Sequence, residues 1–422
     1  MRFIGLDVHR DFCEVAIAEQ GRVRSAGRIE TRVEALDLFA RSLEPDDQVA
    51  LEATSGAAAI AALIEPHVAR VVVANTRKLA AISQAKAKTD RLDARTLARL
   101  LASGYLEEVW APDEQTRALR RLTSRRARLV RARTRAKNET HGVLARNLCP
   151  RPPVVHLFSK AGRRWLAELE LPLDERLTLE GCLRQIDFLD SEIDALERVL
   201  AEQALGSPEI QRLMTVPGVN MITAATFIAS VGEIGRFSSP RKLVSYLGLD
   251  PKVRQSGNEP ARHGRISKAG AAEARHVLGE VAWKVSRTPG PLRAFFERIR
   301  ARRGSQVAAT ATARKLVVLF WQLLTREEDY AFQRPSMTRN KIRQLELLAG
   351  APPRKGKAGV AGGKSKKLWD AERELSRQAE TSYRRLTADW RATGPAKKVG
   401  AGATPGRASQ RPSMRQAARQ AR

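Results

Sequence analysis

The sequence predicts an α/β unit at the front of the chain, a mainly helical unit behind it, and a basic, largely disordered tail. Three observations predict this order. Short β-branched runs alternate with helical spacing up to about residue 108, two long glycine-poor helical stretches fill the middle, and the last seventy residues are rich in Lys and Arg diluted by Gly, Ala and Pro.

The front unit opens with three candidate strands, RFIGLDV (2–8), FCEVAIA (12–18) and RVRSAGRIE (22–30). Helical spacing follows in RVEALDLFARSL (32–43), then a strand in QVALEA (48–53), a helix over GAAAIAALIEPH (56–67), a strand in RVVVAN (70–75) and helical periodicity from Asp90 onward. Three sequential strands followed by alternating helix and strand is the element order of an RNase H-like fold.

Residues 112–140 and 174–203 read as long helices. The first carries ten Arg or Lys against three acids, with Leu119, Leu122 and Leu129 on one side. In the second, Ile186, Leu189, Ile193, Leu196 and Leu200 recur at steps of three and four, a seam that needs a partner helix. A paired-helix coiled-coil stalk joining two domains or two protomers is expected, with an ordinary helical bundle as the alternative. A compact helical domain follows from about Leu213 to Tyr330, with turn signals at VPGVN, VGEIGRF and 250–270. The expected domains are 1–108, 109–206, 207–335 and a tail over 336–422. Within the tail, a helix is expected from about Lys367 to Arg391.

The 422 residues hold 75 Lys and Arg against 46 Asp and Glu, a formal charge of +29, so the expected partner is polyanionic. With 43% hydrophobic residues, wholesale disorder is excluded. Cys13, Cys149 and Cys182 are far apart and in no CxxC spacing, which argues against a disulfide framework or zinc knuckle and for a reducing compartment. The apolar run Leu316–Leu324 is too short to span a bilayer, so an intracellular protein without a membrane partner is expected. There is no GxxxxGK[ST] motif, hence no sign of ATP chemistry.

Four acids are candidates for chemistry. Asp7 ends the first strand in FIGLDVH, Glu52 ends the fourth in VALEATSG, and Asp90 and Asp93 in KTDRLDAR share one face at a helix start. Acids converging in a protein destined for polyanions would repel the ligand unless they held divalent cations, and hard oxygen ligands suit Mg²⁺ or Mn²⁺. Each acid also has a plainer role: Asp90 as a helix cap, Glu52 in a surface loop, Asp93 paired with Arg91 or Arg95, Asp7 in a turn. A second constellation spans 248–284, where Ser256 sits in a loop among Arg254, Arg262, His263, Arg265 and Lys268. Such a hydroxyl can be a nucleophile on a phosphate gathered by the cations, although Ser–Gly is often only a turn. Ser267 is a rival, better suited to capping a helix. VPGVN (216–220) looks like the hairpin of a helix-hairpin-helix element, with Asn220 in place of the usual final glycine; a plain turn fits as well. Tyrosine chemistry is disfavoured, since no tyrosine has a His and Arg set around it.

GLD at Asp7, EATSG at Glu52, KTDRLDAR at Asp90 and Asp93, and RQSGN at Ser256 with GRISKAG downstream together resemble the DEDD-type insertion-sequence transposases, a family that includes the pilin-gene invertases. The likeness covers roughly residues 1–330, in the family's order and spacing. It implies a RuvC-like domain, a coiled-coil stalk and a C-terminal transposase domain carrying a serine. It makes Asp7, Glu52, Asp90 and Asp93 the metal ligands and Ser256 the nucleophile of a covalent 5′-phosphoserine link to DNA. It also implies a structured bridge RNA that pairs with target and donor DNA, a dimer or tetramer whose composite site joins domains of different protomers, and a bacterial cytoplasmic, nucleoid-associated setting. Arg254, Arg262, Arg265 and Lys268, with Arg125, Arg128 and Arg131 of the basic helix, are the expected phosphate contacts. Two rival functions are a RuvC-like junction-resolving nuclease using metal-activated water, and a non-catalytic nucleic-acid-binding protein.

Overall fold

The computed structural model describes residues 1–54, 56–75, 89–353 and 361–392. They fall into two compact units, Met1–Arg117 and Ala118–Arg422.

The first unit is built on a five-stranded sheet in the order β3-β2-β1-β4-β5. Strands β1 (Phe3–Val8), β2 (Phe12–Glu19) and β3 (Arg22–Glu30) form an antiparallel meander; β4 (Gln48–Glu52) and β5 (Arg70–Ala74) run parallel to β1. The connections to the parallel strands pass through helices α1 (Val33–Arg41) and α2 (Ala57–Ile64), as a parallel crossover requires. Alternation along the strands then separates two faces. Ile4, Leu6, Val49 and Leu51 pack with Leu36, Ala40, Ile60 and Ile64 on the α1/α2 side. The opposite side receives α3 (Asp90–Ala102), which approaches so closely that a Cβ on Gly5 would lie 2.2 Å from the Ala94 carbonyl oxygen.

The second unit begins in the first turns of α4 (Glu114–Arg146), followed by α5 (Lys160–Glu168) and α6 (Leu173–Leu205). Ion pairs Arg126–Glu197, Arg133–Asp190 and Arg146–Glu175 couple α4 to α6 in antiparallel register. Arg163 of α5 adds a pair to Asp187 of α6. Ile186, Ile193 and Leu200 are buried inside the single chain. The central residues of the apolar seam thus pack within this chain, while Phe188 and Val199 of the same helix are exposed.

Helices α7 (Pro208–Met214), α8 (Met221–Val231), α9 (Pro240–Tyr246), α10 (Ala272–Val285), α11 (Pro291–Arg303), α12 (Ser305–Arg326) and α13 (Pro335–Leu348) share one core, with Phe227 edge-on to Phe320 at 5.0 Å. A two-stranded hairpin, β6 (Pro251–Arg254) and β7 (Arg262–Ile266), projects from it. Among the described residues, α12 is long and apolar enough to cross a membrane, and the run Leu316–Leu324 is only its last half. Its apolarity is accounted for by packing: Ala309, Ala313, Leu316, Val317, Phe320 and Leu324 lie in the core.

The stretch 336–422, expected to be largely disordered apart from one helix, holds two helices among its described residues. α13 packs against α6, and half-buried Lys341 donates to the carbonyl oxygens of Met214 and Val216 at 2.5 and 3.1 Å. Helix α14 (Ala361–Ala392) contains the helix expected at 367–391 and docks on α11 and α13. Its buried Glu372 accepts from the Ser336 backbone N–H in the first turn of α13, and its buried Glu380 accepts from the Gly290 N–H that precedes α11. Two acids thus satisfy donors that helix starts leave open, which a charge count along the tail does not foresee. The remaining tail residues lie outside the described ones.

Candidate active site

Asp7 sits at the carboxyl end of β1, on the face covered by α3. Because β1 and β4 pair in register at Leu6↔Leu51, alternation sets Glu52 beside Asp7 on that same face. Helix α3 starts over this edge of the sheet. Its cap is Thr89, whose hydroxyl oxygen accepts from the Leu92 N–H at 3.4 Å, so Asp90 and Asp93 in the first turn are free of the capping role considered for Asp90. Nor does Asp93 pair with its helix neighbours: Arg91 reaches Glu14, and Arg95 donates to the Val23 carbonyl.

Asp90 and Asp93 lie near enough to act on Asp7, which is only 7% exposed, whereas Glu52 is placed beside it by strand register alone. Burial pushes the Asp7 carboxyl above the usual carboxylate range; His9 opposes this, while Asp93 and Asp90 add to it by like-charge repulsion. His9 Nε2 lies 3.1 Å from Asp7 Oδ2 and 3.4 Å from Asp90 Oδ1. Ligand atoms of Asp7, His9 and Asp90 can all be found within 4.8 Å of one another. A buried carboxylate with two further acids close by, and no Lys or Arg ion-paired to Asp7, Asp90 or Asp93 among the described residues, offers the oxygen donors that a hard divalent cation takes. A second acid group, Glu44, Asp46 and Asp47, differs: Arg2 and the amino terminus already neutralise it.

Two residues here escaped the sequence reading. His9 stands two positions after Asp7 and bridges it to α3. Glu14, opposite Asp7 across the β1–β2 ladder and only 1% exposed, accepts from Arg28 at 2.7 Å and from Arg91 at 3.2 Å. It thereby ties the first turn of α3, and with it Asp90 and Asp93, to β2. The signal was present as a lone carboxylate in the apolar strand FCEVAIA, since an acid in the middle of a buried strand must be paired.

In the second unit, Ser256 lies in the loop of the β6–β7 hairpin. It is exposed, and its hydroxyl has no hydrogen-bond partner among the described residues. Arg254 and Arg262 face each other across the hairpin at the base of that loop, and Arg262 pairs with Glu259 at 3.2 Å. Ser267 is not a helix cap: its hydroxyl donates to Asp250 Oδ1 at 2.7 Å and closes the foot of the hairpin. There Gly270 adopts φ +69° with its Cα against the Tyr246 carbonyl, where a Cβ would stand at 2.0 Å, so only glycine fits the GRISKAG turn. Arg265 and Lys268 line a cleft beside the hairpin.

VPGVN joins α7 to α8, and Asn220 caps α8 by accepting from the Thr223 N–H at 3.0 Å, which is why asparagine serves where glycine was expected. On α4, Arg125 and Arg131 lie 3.8 and 3.7 Å from Glu192 and Glu273, and Arg128 is exposed. Such long, solvent-exposed pairs hold weakly and can exchange for phosphate.

The family model described as "Transposase IS116/IS110/IS902 family" matches residues 210–297, and a DEDD transposase model of the IS110 type matches residues 4–148. The chain is 30% identical to the transposase for insertion sequence element IS1111A of Coxiella burnetii, over 58% of this chain and 68% of that protein. It is also 30% identical to a probable family 20 transposase of Pseudomonas aeruginosa, over 58% of this chain and 74% of that one. It is 26% identical to the transposase for insertion sequence element IS1328 of Yersinia enterocolitica, over 56% of this chain and 72% of that protein.

Proposed function

Since the chain belongs to the IS116/IS110/IS902 family of insertion-sequence transposases, and is thereby a DNA-processing enzyme, we propose that it joins DNA ends through a covalent 5′-phosphoserine link at Ser256. The observation that carries this reading is the Ser256 hydroxyl, exposed and unpartnered among the described residues, with Arg254 and Arg262 beside it. The sheet order of the first unit supports a RuvC/RNase H-like domain; the close approach of Asp7 and Asp90 supports Mg²⁺ or Mn²⁺ held by these two, with Glu52 and Asp93 as the further ligands of this reading. The metal would supply charge neutralisation at the phosphoryl oxygens and the departing oxygen.

In the first step the Ser256 oxygen bonds to phosphorus, the bond from phosphorus to the 3′ oxygen breaks, and the serine proton ends on the 3′ hydroxyl that leaves. Arg254 and Arg262 offset the added charge on the phosphoryl oxygens. In the second step an incoming 3′ hydroxyl attacks the phosphoserine and returns the serine. Bond energy is conserved in the ester, in keeping with the absence of an ATP motif. A structured bridge RNA pairing with both DNAs, assembly as a dimer or tetramer, the domain limits expected above, and work in the bacterial cytoplasm at the nucleoid complete the reading. Arg254, Arg262, Arg265, Lys268, Arg125, Arg128 and Arg131 are its phosphate contacts.

The compactness of the acid cluster favours one alternative, a metal-dependent nuclease acting through water, because that site is assembled within the first unit alone. Ser256→Ala separates the two. Under the phosphoserine reading, denatured reaction mixtures of the wild-type chain contain a DNA–protein adduct that maps to Ser256, and the variant forms neither adduct nor cleaved strand. Undiminished cleavage by Ser256→Ala would establish the nuclease instead.

A further inference from the structure

Beside the hairpin, in the second unit, lies a cleft of about 960 Å³ walled by β7, the turn after it, the end of α11 and the first turns of α12. Its basic side chains are His263, Arg265, Lys268, Arg303, Arg314 and Lys315, and no Asp or Glu lines it among the described residues. Elsewhere the arginines of this unit are commonly answered by acids, as in Arg293–Glu380 and Arg300–Glu297. Here Arg265, Lys268, Arg303, Arg314 and Lys315 are all exposed and enter no ion pair among the described residues. Five unanswered cations around one concavity raise a positive potential that self-repulsion makes costly, unless an anion uses it.

The floor has the opposite character. Leu249, Ile266, Phe295, Val307 and Val318 line it, and Val307 is 44% exposed although it lies on an otherwise well-packed helix. Helical spacing explains the mixture: α12 turns Ala309, Ala313, Leu316 and Phe320 inward to the core, and sets Val307, Arg314 and Val318 on the opposing side. A free phosphate would leave this floor wet. A duplex offers its phosphates but keeps its base faces stacked within. A single strand offers both, with phosphates for the cationic rim and unstacked bases for the apolar floor.

We propose that this cleft binds a single-stranded stretch of nucleic acid, with its backbone on Arg303, Arg314 and Lys315 and its bases against Phe295 and Val307. The site deepens the nucleic-acid reading given above and rests on it, but it requires no covalent chemistry at Ser256. For an enzyme that opens or pairs strands, it would hold an unpaired segment close to the hairpin that carries Ser256.

The test uses the full chain carrying Ser256→Ala, so that the outcome does not depend on the phosphoserine step. Fluorescence anisotropy at about 0.2 M salt compares a labelled 12-nucleotide DNA strand, the RNA of the same sequence, and the corresponding DNA duplex. Combined substitution of Arg303, Arg314 and Lys315 by Ala should weaken single-strand binding at least tenfold. It should also lower the salt slope by about 2, at roughly 0.7 per phosphate contact on single strands. Val307→Asp, at an exposed position that tolerates charge, should weaken binding of the single strands while leaving the duplex unchanged. The stronger of the DNA and RNA responses identifies the source of the strand. Equal losses on duplex and single strands would overturn the base-binding floor. Unchanged affinity in the triple variant, or a preference for phosphatidylglycerol vesicles over every oligonucleotide, would overturn the site.

Discussion

Gly5→Ala tests how the acid cluster is assembled. The added methyl would stand 2.2 Å from the Ala94 carbonyl oxygen and 2.6 Å from the Ala98 nitrogen, both backbone atoms of α3, so no side chain can rotate away to relieve the clash. Ordinary contact begins near 3.4 Å, so α3 must lift by about 1 Å. Overpacking of this kind costs about 1–3 kcal/mol. Asp90 and Asp93 ride on α3 while Asp7 and Glu52 stay with the sheet, so the lift widens the cluster by a similar distance. A misplacement of about 1 Å in a reacting constellation lowers rates on the order of 100-fold. The assays are thermal unfolding of the full chain and Mn²⁺-dependent DNA strand cleavage, measured well below the unfolding midpoint. The expected result is a folded protein with a lowered midpoint and roughly 100-fold less activity. A folded variant with wild-type cleavage would refute the dependence of the cluster on α3 seating.

Ile193→Asp places a charge at a position 3% exposed on the α6 seam, and the expected outcome is a loss of more than about 3 kcal/mol in denaturant unfolding. A variant of wild-type stability whose mass on light scattering had halved would return the seam to an intermolecular role. Lys341 gives a pH signature. Burial pulls its ammonium down to about 8, so between about 8 and its ordinary 10.5 the unfolded chain holds a proton that the native chain has released. Stability should therefore rise with pH across that window, and Lys341→Met should flatten the rise; an unchanged profile in the variant would assign it to another group.

Local chemistry made much of this chain legible. The strands and helices of the first unit follow from alternation and from three-and-four spacing, both of which act within a few residues. Asp7, Glu52, Asp90 and Asp93 are legible because acids at strand ends and helix starts stand out from apolar surroundings. Ser256 is legible by the cations beside it in the chain. His9 and Glu14 were missed for opposite reasons: His9 looks like a surface residue, and Glu14 acquires a role only because Arg28 and Arg91, 14 and 77 positions away, reach it. The seam on α6 announced that a partner was needed without naming it, since an apolar stripe carries no address.

What the sequence determined by itself is the identity of the elements and the chemistry of their residues, because propensity, periodicity and charge are properties of neighbours along the chain. Tertiary structure alone decided which of them meet. The ladder register set Glu52 and Glu14 beside Asp7, and the absence of a side chain at Gly5 let α3 bring two more acids to that edge. In the second unit, folding turned one face of α12 into core and the other into a cationic cleft. These are contacts between residues far apart in sequence, and their energies come into being only when the chain closes on itself.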